Sequence, residues 1–119
     1  MKKLLILIAL LSLPVLAEES PFENLSQYFN YLPNAVHNNW KPYKANKDYE
    51  VTVQFRVKKN GEITEPKIIN STEEKANPSV LDAVKTGAPY KPLPDKFPGE
   101  SVNTQVQLKY IHNTVTSEV

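Results

Sequence analysis

From Glu50 to Val57 apolar and polar residues alternate without a break, with Val51, Val53, Phe55 and Val57 on one side and Glu50, Thr52, Gln54 and Arg56 on the other. This is the pattern of a strand with one buried and one wet face. The same rule holds for Val102, Thr104, Val106, Leu108 and Tyr110 against Asn103, Gln105, Gln107 and Lys109. After the first strand comes Asn60-Gly61, a strong hairpin signal, and both residues tolerate the positive φ of a type I′ turn. A second strand is therefore expected from about Glu62 to Asn70. Its apolar residues Ile63, Ile68 and Ile69 change parity across Pro66, which predicts a bulge and places this strand at the border of the sheet, where a missing amide is tolerated.

Helical spacing appears on either side of this sheet pattern. Phe22, Leu25, Phe29, Leu32, Val36 and Trp40 form one apolar stripe. Ser20-Pro21-Phe22-Glu23 supplies a cap, a first-turn proline and a reciprocal acid, so the helix is expected to start there. Pro33 predicts a kink or break near Tyr31 to Asn34, and Trp40-Lys41-Pro42 ends the pattern. Asn77-Pro78 repeats the cap-then-proline device ahead of Val80, Leu81 and Val84, and Gly87 is expected to stop this short crossover helix. The resulting expectation is an α+β fold. A small three-stranded antiparallel sheet, order 2-1-3, packs against an N-terminal helix and the crossover helix, and the strand from Val102 to Tyr110 forms an edge.

The ends of the chain add a compartment. Met1-Lys2-Lys3, the apolar run Leu4 to Leu13 and Pro14-Val15-Leu16-Ala17 read as a secretory signal cleaved after about Ala17. The apolar run is shorter than the roughly 20 residues of a membrane span. The expected division is signal peptide 1–17, one domain over 18–112 and a flexible tail over 113–119, whose Ser117-Glu118-Val119 resembles a PDZ ligand but reads better as frayed chain. Without Lys2 and Lys3 the balance is 12 basic against 13 acidic residues, which is no footprint for nucleic acid. The absence of cysteine excludes disulfides and a lipid-modified N-terminus.

Little in the sequence suggests chemistry. Three glycines in the whole chain exclude a phosphate-cradling loop. His37 and His112 are not in a spacing that metals use, and Glu73-Glu74, Glu62 and Glu65 fall in or beside polar turns. No catalytic, metal or cofactor-binding residues are assigned, and no small-molecule substrate is evident. Pro89, Pro92, Pro94 and Pro98 could form a polyproline ligand, but they read better as a rigid hook packing Tyr90, Leu93 and Phe97 on the core. Trp40 reads as a closure of the core at the end of the first helix.

Taken in order, these motifs resemble the C-terminal domain of the TonB and TolA proteins. The resemblance rests on Asn39-Trp40-Lys41-Pro42, the strand Val51 to Val57, Asn60-Gly61-Glu62-Ile63 and Ile68-Ile69-Asn70-Ser71. It continues through the helix with Pro78, Leu81, Asp82 and Ala83, and through Ala88-Pro89-Tyr90-Lys91-Pro92-Leu93-Pro94, so that it spans about residues 22 to 111. Trp40, Pro42, Asn60, Gly61, Pro92, Leu93 and Pro94 are its structural markers. The tyrosine-proline motif of TonB is not matched, which brings the likeness nearer the TolA side or a mixed branch.

The resemblance implies a periplasmic module of the cell envelope that works by contact. Its partner would be an envelope protein or an outer-membrane transporter segment, with links to transmembrane transport or the Tol-Pal system. Ala17 is followed almost at once by Ser20, leaving no stalk, so energy transduction by this chain alone is not expected. The expected mode is β-augmentation of the edge formed by Val102, Asn103, Thr104, Gln105, Val106, Gln107, Leu108, Lys109 and Tyr110. The competing expectations are a structural protein that pairs this edge with its own copy as a homodimer, and a small periplasmic enzyme or inhibitor.

Overall fold

The computed structural model describes residues 19–112; the signal segment 1–17 and the tail 113–119 lie outside them. The central strand β1 (Tyr49–Lys58) pairs antiparallel with β2 (Lys67–Ser71) on one side and with β3 (Ser101–Tyr110) on the other, giving the expected order 2-1-3. Helix α1 (Leu25–Asn38) packs on β3 and on helix α2 (Asn77–Gly87), and α2 covers β1 and β2. Both helices lie on the face that carries Val51, Val53, Phe55 and Val57, all buried. The opposite face of the sheet is wet. No helix among the described residues is long and apolar enough to cross a membrane.

The β1–β2 border is as irregular as the isoleucine parity implies, but β2 is shorter than the expected Glu62 to Asn70. Ile63 makes only an isolated bridge to Val57, and the ladder resumes at Lys67 beyond Pro66, whose missing amide cannot support continuous pairing. A bulge follows, since Val53 faces Ile68 while Thr52 faces Asn70. Ile69 is the extra residue, which explains an isoleucine that stays 42% exposed.

The turn itself differs from the type I′ expectation. No residue other than glycine has positive φ among the described residues, and Gly61 sits at +94°. The Gly61 amide donates to the Lys58 carbonyl at 2.8 Å and the Lys58 amide to the Glu62 carbonyl at 2.7 Å, the three-residue hairpin that pairs a type I turn with a glycine bulge. The loop has room for this form because the proline-rich hook closes against it. The Tyr90 amide donates to Gly61 O at 2.8 Å and the Leu93 amide to Lys59 O at 3.0 Å.

Three details of the helices also depart from expectation. Asn24, not Ser20, caps α1, its side chain accepting from the Gln27 amide at 2.9 Å. Ser20 instead ties the N-terminal segment to the hook by donating from its hydroxyl to Pro92 O at 3.0 Å. Pro33 neither breaks nor ends α1, which runs on to Asn38. The carbonyl that Pro33 leaves unserved belongs to Phe29, on the exposed side of the helix, while Leu32 and Val36 hold the buried side. In α2 the cap position is Ala76, and Asn77 turns its side chain to accept from Ser71 Oγ at 2.6 Å. Gly87 ends α2 as expected, without a left-handed backbone; a Cβ there would meet the Tyr90 hydroxyl and ring at 2.6 to 2.9 Å, so packing is what requires glycine.

The hook behaves as expected. Tyr90, Leu93, Pro92 and Pro94 are buried and Phe97 is half-buried. Buried phenols are served by carbonyls, Tyr28 Oη donating to Lys91 O and Tyr90 Oη to Val84 O, both at 2.7 Å. Burial raises both phenols well above their ordinary value, with neighbouring tyrosines adding to the effect. Trp40 is half-buried and donates from Nε1 to Ser79 Oγ at 3.1 Å, joining the end of α1 to α2. Pro42 beside it is also half-buried.

Candidate partner-binding edge

β3 is paired along its whole length on one side only. Each residue from Ser101 to Tyr110 faces a residue of β1, from Lys58 down to Tyr49, and among the described residues no strand lies on its other side. Backbone groups of successive strand residues point to opposite edges, so the register decides which amides of β3 are committed to β1.

Bonds outside the ladder fix the parity. Thr72 and Thr64 donate their amides to the carbonyls of Glu50 and Arg56, both at 3.0 Å, and Lys58 donates to Glu62; the even-numbered residues of β1 therefore face β2. Its odd-numbered residues face β3. In agreement, the Lys59 amide donates to Glu100 O at 2.9 Å. Through the pairs Val51 with Leu108, Val53 with Val106 and Phe55 with Thr104, the even-numbered residues of β3 turn their backbone to β1. Asn103, Gln105, Gln107 and Lys109 turn theirs outward.

Side chains follow the same parity. Val102, Val106 and Leu108 are buried on the helix side, Thr104 and Tyr110 are half-buried there, and Asn103, Gln105, Gln107 and Lys109 are exposed on the wet face. Tyr110 stacks on Tyr49 with ring centroids 4.8 Å apart. The nine residues expected to form the edge are thus one continuous strand, to which the structure adds Ser101. Gln105 and Gln107 do not divide into an inward and an outward amide. Two residues apart, they share one orientation, and both amides are unpaired among the described residues.

One further residue beside the edge, Arg56, was not singled out by pattern alone. Arg56, on the wet face of β1, donates from Nη1 to Ser101 Oγ at 2.8 Å. A shallow cleft at this corner is lined by Arg56, Lys58, Lys59, Asn60, Glu100 and Ser101. The alternation placed Arg56 on the wet face, but its diagonal reach depends on the register with β3, which the sequence does not encode locally. Trp40, Pro42, Pro92, Leu93 and Pro94 belong to the helix and hook packing and not to the row of outward backbone groups. His37 is exposed, and the backbone amide of His112 donates to Asp48 Oδ1 at 2.7 Å. No group of three His, Cys, Asp or Glu residues is placed to hold a metal ion among the described residues.

Comparison with known proteins matches this arrangement. A family model described as TonB C terminal fits residues 25–109. Two solution structures of the TonB C-terminal domain from Helicobacter pylori share the fold at 22% identity. The shorter, residues 194–285 of that protein, superposes with a TM-score of 0.57 over 72% of this chain and 95% of its own. The longer, residues 179–285, gives 0.59 over 71% and 80%. No curated protein matches the chain. The matching model is that of TonB, and both solved structures are TonB domains.

Proposed function

The chain belongs to the TonB C-terminal family, whose members are non-enzymatic modules that bind envelope proteins, and on that premise we propose that it accepts an extended segment of an envelope protein as a fourth strand along β3. It does so in the periplasm after removal of a leader that ends near Ala17, as an accessory of outer-membrane transport or of the Tol-Pal system. The observation that supports this most is the row of outward backbone groups at Asn103, Gln105, Gln107 and Lys109, unpaired among the described residues. An added strand satisfies them without rearranging the core. Main-chain bonds would supply affinity, and alternate side chains of the segment would set specificity.

Self-pairing of the same edge is a second reading with an observation in its favour. In an antiparallel β3–β3 contact, Gln105 and Gln107 stand around the two-fold axis and Lys109 faces Asn103 or Ser101, so no like charges are opposed. Placing a photo-crosslinking residue at Gln105 in the native periplasm separates the two. Adducts with an envelope protein that vanish when Gln107→Pro is added support strand addition, and adducts only with a second copy support self-pairing. Adducts that form equally in the Gln107→Pro background would contradict both.

A further inference from the structure

Resting on the strand-addition reading, we propose that the incoming segment carries an acidic side chain opposite Ser101 or Asn103, and that Arg56 binds it. Arg56 is the only arginine of the chain. In the register it stands opposite Asn103, yet its guanidinium reaches diagonally to Ser101 Oγ at 2.8 Å. The charge therefore lies over the edge strand instead of above β1. A strand added to β3 would run about 4.8 Å beyond it. Its residues opposite Ser101 and Asn103 project onto the wet face, because directly paired residues share a face of the sheet.

The field at this corner is cationic and available. Lys58 stands opposite Ser101 on the same face. Lys59 lines the same cleft, but its ammonium donates to the Phe97 carbonyl, and Glu100 offsets one charge. The ion pair found among the described residues joins Lys85 and Glu65, at 3.4 Å; Arg56 is not neutralised by a carboxylate there. At the other end of the edge the balance differs, since Lys109 faces Glu50 across the β1–β3 pair. Positive charge is thus concentrated at the Ser101 end. A guanidinium offers two parallel donors to a carboxylate, a geometry that fixes register as well as adding attraction.

On the opposite face Val106 and Leu108 are already covered, and the segment's alternate side chains would lie beside half-buried Thr104 and along α1, which packs over β3. The class of partner is an extended, alternating segment with aspartate or glutamate near one end. Arg56 then sets where along β3 that segment stops.

Fluorescence anisotropy with labelled peptides of about nine alternating threonine and valine residues tests this, one glutamate replacing each threonine in turn. Against the purified chain at low ionic strength, one glutamate position should bind about three- to fivefold more tightly than the all-threonine peptide, the range of an exposed ion pair. That advantage should disappear in Arg56→Gln, reverse in Arg56→Glu, and fade in high salt. A glutamate advantage that survives Arg56→Gln, or none at any position while Gln105→Pro abolishes binding of every peptide, overturns the role of Arg56 and leaves strand addition standing. Peptides that bind Gln105→Pro as well as the parent chain overturn both.

Discussion

The amide of Tyr90 donates to the carbonyl of Gly61 at 2.8 Å, and a Cβ on Gly61 would lie 1.9 Å from the Tyr90 carbonyl oxygen. The hairpin turn and the proline-rich hook are therefore one structural unit. It fixes where the chain turns from α2 into β3, because Lys59 accepts from Leu93 and donates to Glu100 just before β3 begins. Gly61→Ala should cost about 1 to 2 kcal/mol from the positive φ alone, with the clash against Tyr90 adding to it. Urea unfolding followed by circular dichroism checks this, and an unchanged midpoint would show that turn and hook are not coupled.

Phe55 and Trp40 separate by burial. Phe55 is 3% exposed in the middle of β1 and stacks near Tyr90, so Phe55→Ala should destabilise by about 3 to 5 kcal/mol. Trp40 is half-buried, and Trp40→Ala should cost less. Trp40→Phe keeps much of the packing but loses the bond to Ser79, an expected loss of about 1 kcal/mol. Thermal unfolding of the three variants gives the order directly.

Burial of Tyr28 and Tyr90 makes the fold sensitive to alkali. Both phenols have values raised above the ordinary 10.0, chiefly by desolvation. Below pH 10 both states carry the neutral phenol and stability is unaffected. Above it the unfolded chain ionises first, so each tyrosine removes about 1.4 kcal/mol per pH unit. Urea midpoints should be flat from pH 8 to about 9.5 and fall beyond, and the fall should be shallower in Tyr28→Phe and in Tyr90→Phe. A fall of the same steepness in both variants would contradict the assignment.

The leader gives a prediction about the ends. Intact-mass measurement of protein from the periplasm should find a chain that begins after about Ala17. A species that keeps Met1 and fractionates with the inner membrane would contradict it.

The strands and their order were legible because alternation from Val51 to Val57 and from Val102 to Tyr110 is a local signal, and Pro66 marks a border strand for a reason contained in one residue. Where the sequence misled, a tertiary contact decided. Ser20 carries the signature of a cap but binds the hook, and Asn60-Gly61 suits a type I′ turn but meets Tyr90. Gly87 ends α2 as expected, but the reason it is glycine is the Tyr90 side chain packed against it. Pro33 is tolerated because the carbonyl it strands faces solvent. The edge itself could be inferred, but which amides of it are free needed the partner strand, since parity is a property of the pair and not of β3 alone.

Strand addition along β3 makes a claim about parity that proline substitution reads most directly. Gln105 and Gln107 present outward amides and exposed side chains, whereas Val106 faces β1 and is buried. Proline is tolerated on an edge strand where its missing amide faces outward. Gln105→Pro and Gln107→Pro should each stay folded by circular dichroism and lose binding of the native partner, or self-association. Gln105→Ala and Gln107→Ala should bind nearly as the parent chain does, and Val106→Pro should unfold the domain. If both outward proline variants remain folded and bind normally, the β3 edge is not where this protein meets its partner.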